Sequence, residues 1–221
     1  MLAMRPATPE DQPRLALMIQ ARSDWMKDKQ LPNWRSWGKH VHELAGNCTR
    51  HSSEMWVLTE DVDRILGCTT VLRTAAPWTW TAAEAAESAY YLNGTVTDPA
   101  VRHRKLGMLI ADWAVDHAAR EGISHVRRDC SSAALAAYYQ QQNFQLIRKV
   151  ATLGGHTTYA FERKAERVPA LAGWLITGES SAATSRSLRH TLSGAARSHS
   201  AEARRFFSNS LRRPAEAPAI I

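Results

Sequence analysis

Residues 89–130 constrain the fold most. A strand-like apolar run at 89–96 leads through Pro99 and a basic loop into an amphipathic helix at 106–121. Gly122 and a second strand-like run at 124–130 follow. A connection of this length between two strands is a β-α-β crossover, which lays them parallel in one sheet. In the helix, Leu106, Ile110, Ala114 and Ala118 form an apolar row widened by Leu109 and Trp113, and Asp112 and Asp116 lie on the other side. Gly122 stops the helix. Gly94, inside the first strand, marks a bulge or a close backbone approach.

The flanking segments supply antiparallel partners. Residues 1–5 form a first strand. Thr8, Pro9 and Asp11 then open a helix, continued by Leu15, Met18, Ile19 and Arg22 at helical spacing. Leu31-Pro32-Asn33 breaks the chain, and 34–44 read as a second amphipathic helix. Residues 55–59 and 65–72 make a hairpin around a polar turn. Residues 75–87 are a loop with a short helical piece. Residues 133–142 form a short helix closed by Asn143. Strands at 144–150 and 157–163 flank the Gly154-Gly155 turn. The order predicts an α/β protein with a mixed, mostly antiparallel sheet of about seven strands and helices on both faces.

Composition divides the 221 residues into two parts. Residues 1–164 hold seven of the eight Trp, all five Tyr and all three Cys. Residues 165–221 are rich in Ser, Ala and Arg and carry +4 of the net +7. The sequence predicts a domain at 1–164 and a weakly ordered basic tail at 165–221. A basic balance favours anionic partners, but a tail with Arg and few aromatics argues against nucleic acid. Cys48, Cys68 and Cys130 have no metal-type spacing and no His pattern accompanies them, so reduced thiols and no metal are expected. The amino terminus lacks an apolar export run and the longest apolar stretch of the tail is too short to span a bilayer. A soluble cytoplasmic protein with no membrane partner is expected.

The loop before the long helix carries the clearest chemistry. Unpaired N–H groups at a helix N-terminus bind phosphate, and Arg102, Arg104 and Lys105 add positive charge there. Gly107 admits a ligand close to the backbone. Val96, Pro99, Arg102, His103, Lys105 and Gly107, running into Ile110-Ala111-Asp112-Trp113-Ala114, resemble the cofactor motif of the GNAT family, the Gcn5-related N-acetyltransferases. Leu135, Tyr139 and Asn143-Phe144 resemble its next motif, and the element order is similar across residues 4–164. Lys105 and His103 stand at motif glycines, Ser132 at the usual Asn, and Asn143 at the Gly of Gly-Phe.

This resemblance implies transfer of an acetyl group from acetyl-CoA directly to a primary amine of a small molecule or peptide. The pyrophosphate would lie on Arg102, His103, Arg104, Lys105, Leu106, Gly107 and Met108, with Ser132 and Leu135 also at the cofactor. Backbone donors around Gly94 to Val96 would polarise the thioester. Tyr139 is the implied proton donor to the leaving thiolate, and a phenol near pKa 10 would be closely matched to a thiol. Glu87, with Glu84 beside it, is the candidate base because it precedes the central strand. Cys130 is read as a buried small residue and Tyr138 as a packing residue. Trp25, Trp34, Trp37, Trp78 and Trp80 fall where the family builds its acceptor wall. The departures at Lys105 and Ser132 keep a second class open: an acyl-CoA-binding module with little or no turnover and a partner-binding tail. Edge strands near the closing hairpin offer a route to a homodimer.

Overall fold

A computed structural model describes residues 1–50, 54–61, 64–73, 79–151 and 157–177. The chain begins with strand β1 (Leu2–Pro6), a 3-10 turn at Pro9–Asp11 and helix α1 (Gln12–Asp28). Three short helices follow: α2 (Trp34–Lys39), α3 (Val41–Ala45) and α4 (Asn47–Arg50). Then come β2 (Met55–Glu60), β3 (Arg64–Leu72), α5 (Ala82–Ala86) and β4 (Ala89–Thr97). A 3-10 turn at Pro99–Arg104 leads into α6 (Leu106–Arg120), β5 (His125–Cys130), α7 (Ala133–Gln141), β6 (Gln145–Ala151) and β7 (Thr157–Lys164). A last 3-10 turn at Pro169–Gly173 precedes β8 (Leu175–Thr177).

The eight strands form one mixed sheet in the order β6-β7-β5-β4-β3-β2-β1-β8. The expected crossover is present: β4 and β5 are parallel and α6 connects them. One core cluster joins Met4, Leu58, Leu66, Leu92 and Phe161 of the sheet to Leu106, Ile110, Trp113 and Ala114 of α6. A second cluster joins Val57, Cys68 and Val96 to Leu15, Met18 and Ile19 of α1 and Trp37 of α2. Alternation along β2 explains the two layers, since Leu58 serves the first cluster and Met55 and Val57 the second.

Three sequence expectations change. The single helix at 34–44 is broken at His40, whose φ of −106° is not helical, so α2 and α3 pack separately. Thr8 and Pro9 open a 3-10 turn, not α1 itself; the turn is held by Asp11, which accepts from the Thr8 N–H at 2.8 Å and from both terminal nitrogens of Arg5 at 2.7 Å. The fold also continues past Lys164. Strand β8 pairs in parallel with β1, and Leu171 and Leu175 are buried in the first core cluster. Asp116 of α6 fixes this segment: it accepts from the Val168 N–H at 2.8 Å and from Arg167 Nε at 3.1 Å, and pairs with Arg120 at 2.6 Å. The remainder of the expected tail, 178–221, the Gly154-Gly155 turn and Trp78 lie outside the described residues.

All three cysteines are free and buried. No helix among the described residues is long and apolar enough to cross a membrane.

Candidate active site

The parallel contact between β4 and β5 is short. Ala89, Tyr90 and Tyr91 pair with His125, Val126 and Arg127, and the pairing stops there. Beyond that point the strands part. Opposite the opening, β4 carries an extra residue against β3, because Cys68 faces Val96 whereas Thr70 faces Asn93. Gly94 sits in this bulge at φ +60°, with open space where a Cβ would be, so glycine is required there by backbone conformation. Thr95 is anchored by its hydroxyl to that of Thr69 at 2.8 Å.

A cavity of about 420 Å³ opens beside the parted strands. Thr95 and Thr97 of β4 form one wall. Arg102, Lys105, Leu106 and Gly107 form its rim at the start of α6. Helix α7 contributes Ser132, Leu135, Tyr138, Tyr139 and Gln142, and β5 contributes Arg128. Arg22 and Trp25 of α1 close the other side with Leu31 and Pro32. Among the described residues the lining has four cationic side chains and no Asp, Glu or His.

The rim suits a phosphate. An α-helix leaves its first N–H groups without partners inside the helix, and their dipoles favour an anion. Lys105 occupies the turn residue at φ +51°, a left-handed conformation that normally favours glycine. Arg102 and Lys105 are exposed at the mouth. A Cβ on Gly107 would lie 2.8 Å from the Tyr138 hydroxyl, so the ring of Tyr138 rests directly on this backbone. Tyr138 is therefore a neighbour of the α6 start as well as a packing residue.

Tyr139 is fully buried and packs edge-on against Phe161 at 5.6 Å. Burial pushes its phenol up to about 12, opposed by the nearby Arg128 guanidinium. Tyr139 therefore holds its proton more tightly than the ordinary phenol assumed in the expected near-balance. Ser132 caps α7 by accepting from the Leu135 N–H at 3.4 Å. Cys130 is buried, and desolvation raises its thiol to about 12, which leaves it a poor nucleophile.

The structure brings Arg102, Lys105, Leu106, Gly107, Ser132, Leu135 and Tyr139 to the cavity, but not Gly94, Val96, His103, Arg104, Met108 or Glu87. Val96 points into the second core cluster. Gly94 shapes β4 without lining the cavity. Arg104 turns away and pairs with Glu60 at 2.8 Å. The Met108 N–H is used by the Lys105 carbonyl at 2.9 Å. Glu87 lies at the closed end of the β4–β5 pair, where its carboxylate accepts from Arg127 Nη2 at 2.6 Å. Glu84 is a helix cap, accepting from the Thr81 N–H at 2.7 Å and pairing with Arg148. Neither carboxylate reaches the cavity. Of the tryptophans, Trp25 lines it, Trp37 is core, Trp34 lies under Arg35, and Trp80 is stacked by Arg127.

Glu87, His125 and Glu162 converge, with ligand atoms within 4.8 Å of one another. Arg127 already bonds both carboxylates, so a cationic side chain occupies the position a metal would compete for.

A family model for the Acetyltransferase (GNAT) family matches residues 18–144. The chain belongs to the GNAT acetyltransferase family. Its fold is similar to that of a GNAT acetyltransferase from Listeria monocytogenes, at 17% identity and TM-score 0.58 over 74% of this chain and 94% of that one. It is also similar to the PaiA N-acetyltransferase from Thermoplasma acidophilum, solved with coenzyme A, at 14% identity and TM-score 0.52 over 74% and 99%. RimL, a ribosomal L7/L12 α-N-protein acetyltransferase solved with coenzyme A, aligns at 16% identity and TM-score 0.50 over 74% and 93%. The sequence matches no curated protein.

Sequence reasoning missed Arg22 and Arg128. Arg22 left a signal, because it falls in the apolar row of α1 at the spacing of Leu15, Met18 and Ile19. A charged residue in the core-facing row is a flag for a buried function. Arg128 left none, since it stands beside a second arginine in a polar strand.

Proposed function

We propose that this chain transfers an acyl group, acetyl in the simplest case, from acyl-CoA to a primary amine of a small molecule or peptide. The observation that carries the reading is the parting of β4 and β5 into a cavity with Arg102, Lys105 and Gly107 at its mouth and Tyr139 deep inside. GNAT relatives of the same fold were solved with coenzyme A. Here the α6 N-terminus would hold the pyrophosphate, helped by Arg102 and Lys105. The bulge at Gly94 interrupts the β4 ladder where a backbone N–H is needed for charge developing on the carbonyl oxygen. Tyr139 would donate a hydrogen bond to the departing sulfur and stabilise the negative charge that develops there, with the Arg128 guanidinium held over its ring.

One observation favours a second reading, an acyl-CoA-binding module without turnover: among the described residues no carboxylate or imidazole lines the cavity to deprotonate the amine. In the transferase reading that proton leaves through water. Thiol release from acetyl-CoA with a panel of amines decides between them. Amine-dependent thiol release supports the transferase. Binding of acetyl-CoA without release supports the module. No binding of acetyl-CoA overturns both.

A further inference from the structure

Two arginines line the cavity without a direct ion pair among the described residues, although the buried Asp129 carboxylate lies close enough to Arg128 to feel its charge. Arg22 is 9% exposed and Arg128 is 3% exposed. The Nε of each is buried without a hydrogen-bond partner. Arg22 has a ring for company, its guanidinium carbon 4.4 Å from the centre of Trp25. Arg128 lies 3.5 Å above the ring centre of Tyr139, and its Nη1 donates to Gln142 Oε1 at 2.9 Å. Among the described residues neither forms an ion pair. A buried guanidinium whose donors are left unpaired is costly, and arginine cannot escape by losing its proton; Asp129 offsets this only in part for Arg128, because it forms no direct pair with it. Two such charges in one cavity mark a place where an anion belongs.

Coenzyme A does not supply that anion at this depth. Its phosphates fit the exposed mouth, where Arg102, Lys105 and the α6 N-terminus gather. The pantetheine arm that would run inward is neutral, and so is an acetyl group. We infer that the deep end of this cavity binds a carboxylate, carried by the amine acceptor or by the far end of the transferred acyl group. Arginine suits this role because its planar fork matches a carboxylate. The same four cations repel a polyamine. The inference rests on the acyl-transfer reading above and narrows its substrate class.

The test pairs substrates that differ in one carboxylate and follows thiol release. In the acceptor arm acetyl-CoA is offered with lysine or 1,5-diaminopentane, and with phenylalanine or phenethylamine. In the donor arm succinyl-CoA or butyryl-CoA is offered with benzylamine. The carboxylate member of one arm is expected to have at least about tenfold higher kcat/KM, and that arm identifies the carrier. Arg22→Met and Arg128→Met should reduce that preference to about twofold or less. Absence of a carboxylate preference in both arms of the wild type overturns the inference, so a variant that fails to fold leaves the test intact. A preference that survives in both folded variants overturns it too, as does coenzyme A affinity falling tenfold in both with the preference unchanged. If no pair releases thiol, the transferase reading has failed, and thermal unfolding with coenzyme A plus the same compounds judges the carboxylate. A higher Tm with the carboxylate members supports the inference, and equal shifts overturn it.

Discussion

Arg127 and Arg128 are neighbours on β5 and equally buried, yet their surroundings are opposite. Arg127 donates to Glu162 and Glu87 and to the Glu84 carbonyl, each at 2.6 Å, and stacks on Trp80. Arg128 has one amide oxygen, an aromatic face and the charge of the nearby Asp129, but no carboxylate bonded to it among the described residues. Successive residues of a strand point to opposite faces, so one step along β5 separates a saturated charge from an unsaturated one. Arg127 stands where β4 and β5 are paired, and Arg128 where they have parted. A charge whose partners are all internal serves the fold. A charge left open inside a cavity has its partner in the ligand.

Substitution should separate the two most sharply. Arg127→Met strands Glu162 and Glu87 and is expected to lower stability by about 3 kcal/mol, read by urea unfolding. Arg128→Met breaks no direct ion pair, though it removes the positive charge near the buried Asp129, and should cost no more than about 1.5 kcal/mol, roughly one hydrogen bond. Equal losses would break the comparison.

Within the open end, Tyr139→Phe should lower kcat by about 10²-fold with little change in acetyl-CoA affinity. Because burial holds its phenol up to about 12, the proton stays on Tyr139 below that pH, and the pH–rate profile should show no alkaline fall from Tyr139 up to about pH 10. A basic limb that disappears in the Phe variant would contradict this.

Asp116 tests whether an internal network of the closed kind also secures the C-terminal segment. Burial raises its carboxyl, but the Val168 N–H and the Arg120 and Arg167 side chains outweigh that and leave it below the ordinary value of 3.8. A carboxyl depressed in the folded state stabilises above its unfolded pKa, and that stability fades as pH falls through the folded value. Asp116→Asn should cost about 1–2 kcal/mol at neutral pH and much less near pH 2, measured by unfolding at both. The smallest effect is expected at the mouth. Lys105→Gly relieves a left-handed residue and should add about 1 kcal/mol of stability while weakening coenzyme A binding, by calorimetry.

Much of this arrangement was legible in the sequence. The crossover, the Gly94 bulge, the left-handed Asn143 and the placing of Arg102, Lys105 and Gly107 at the cavity follow from local signals: periodicity, glycine and charge at a helix start. What was not legible depends on pairing across the sheet. Glu87 looked free until Arg127, forty residues on, was placed beside it by the β4–β5 register. Arg104 looked like a phosphate ligand until β2 brought Glu60 to it. The helix at 34–44 failed because no residue type announces the break at His40. Strand β8 was hidden by its three-residue length, although it lies in the apolar run at 168–177, where Leu171 and Leu175 were a spaced apolar pair.

The β1–β8 pairing ties Leu2 to Leu175, the longest loop closure in the sheet. Contacts this remote form late, after local hairpins and helices have reduced the distance to be spanned. During synthesis β1 can join β2 early, but its other edge stays open until residues 175–177 have emerged. An open edge is a template for strands of other chains. Val168, fastened to Asp116, delivers β8 to that edge, so the short strand works as a latch on the nascent chain, replacing the five-residue edge of β1 with one of three residues, too short to template much pairing.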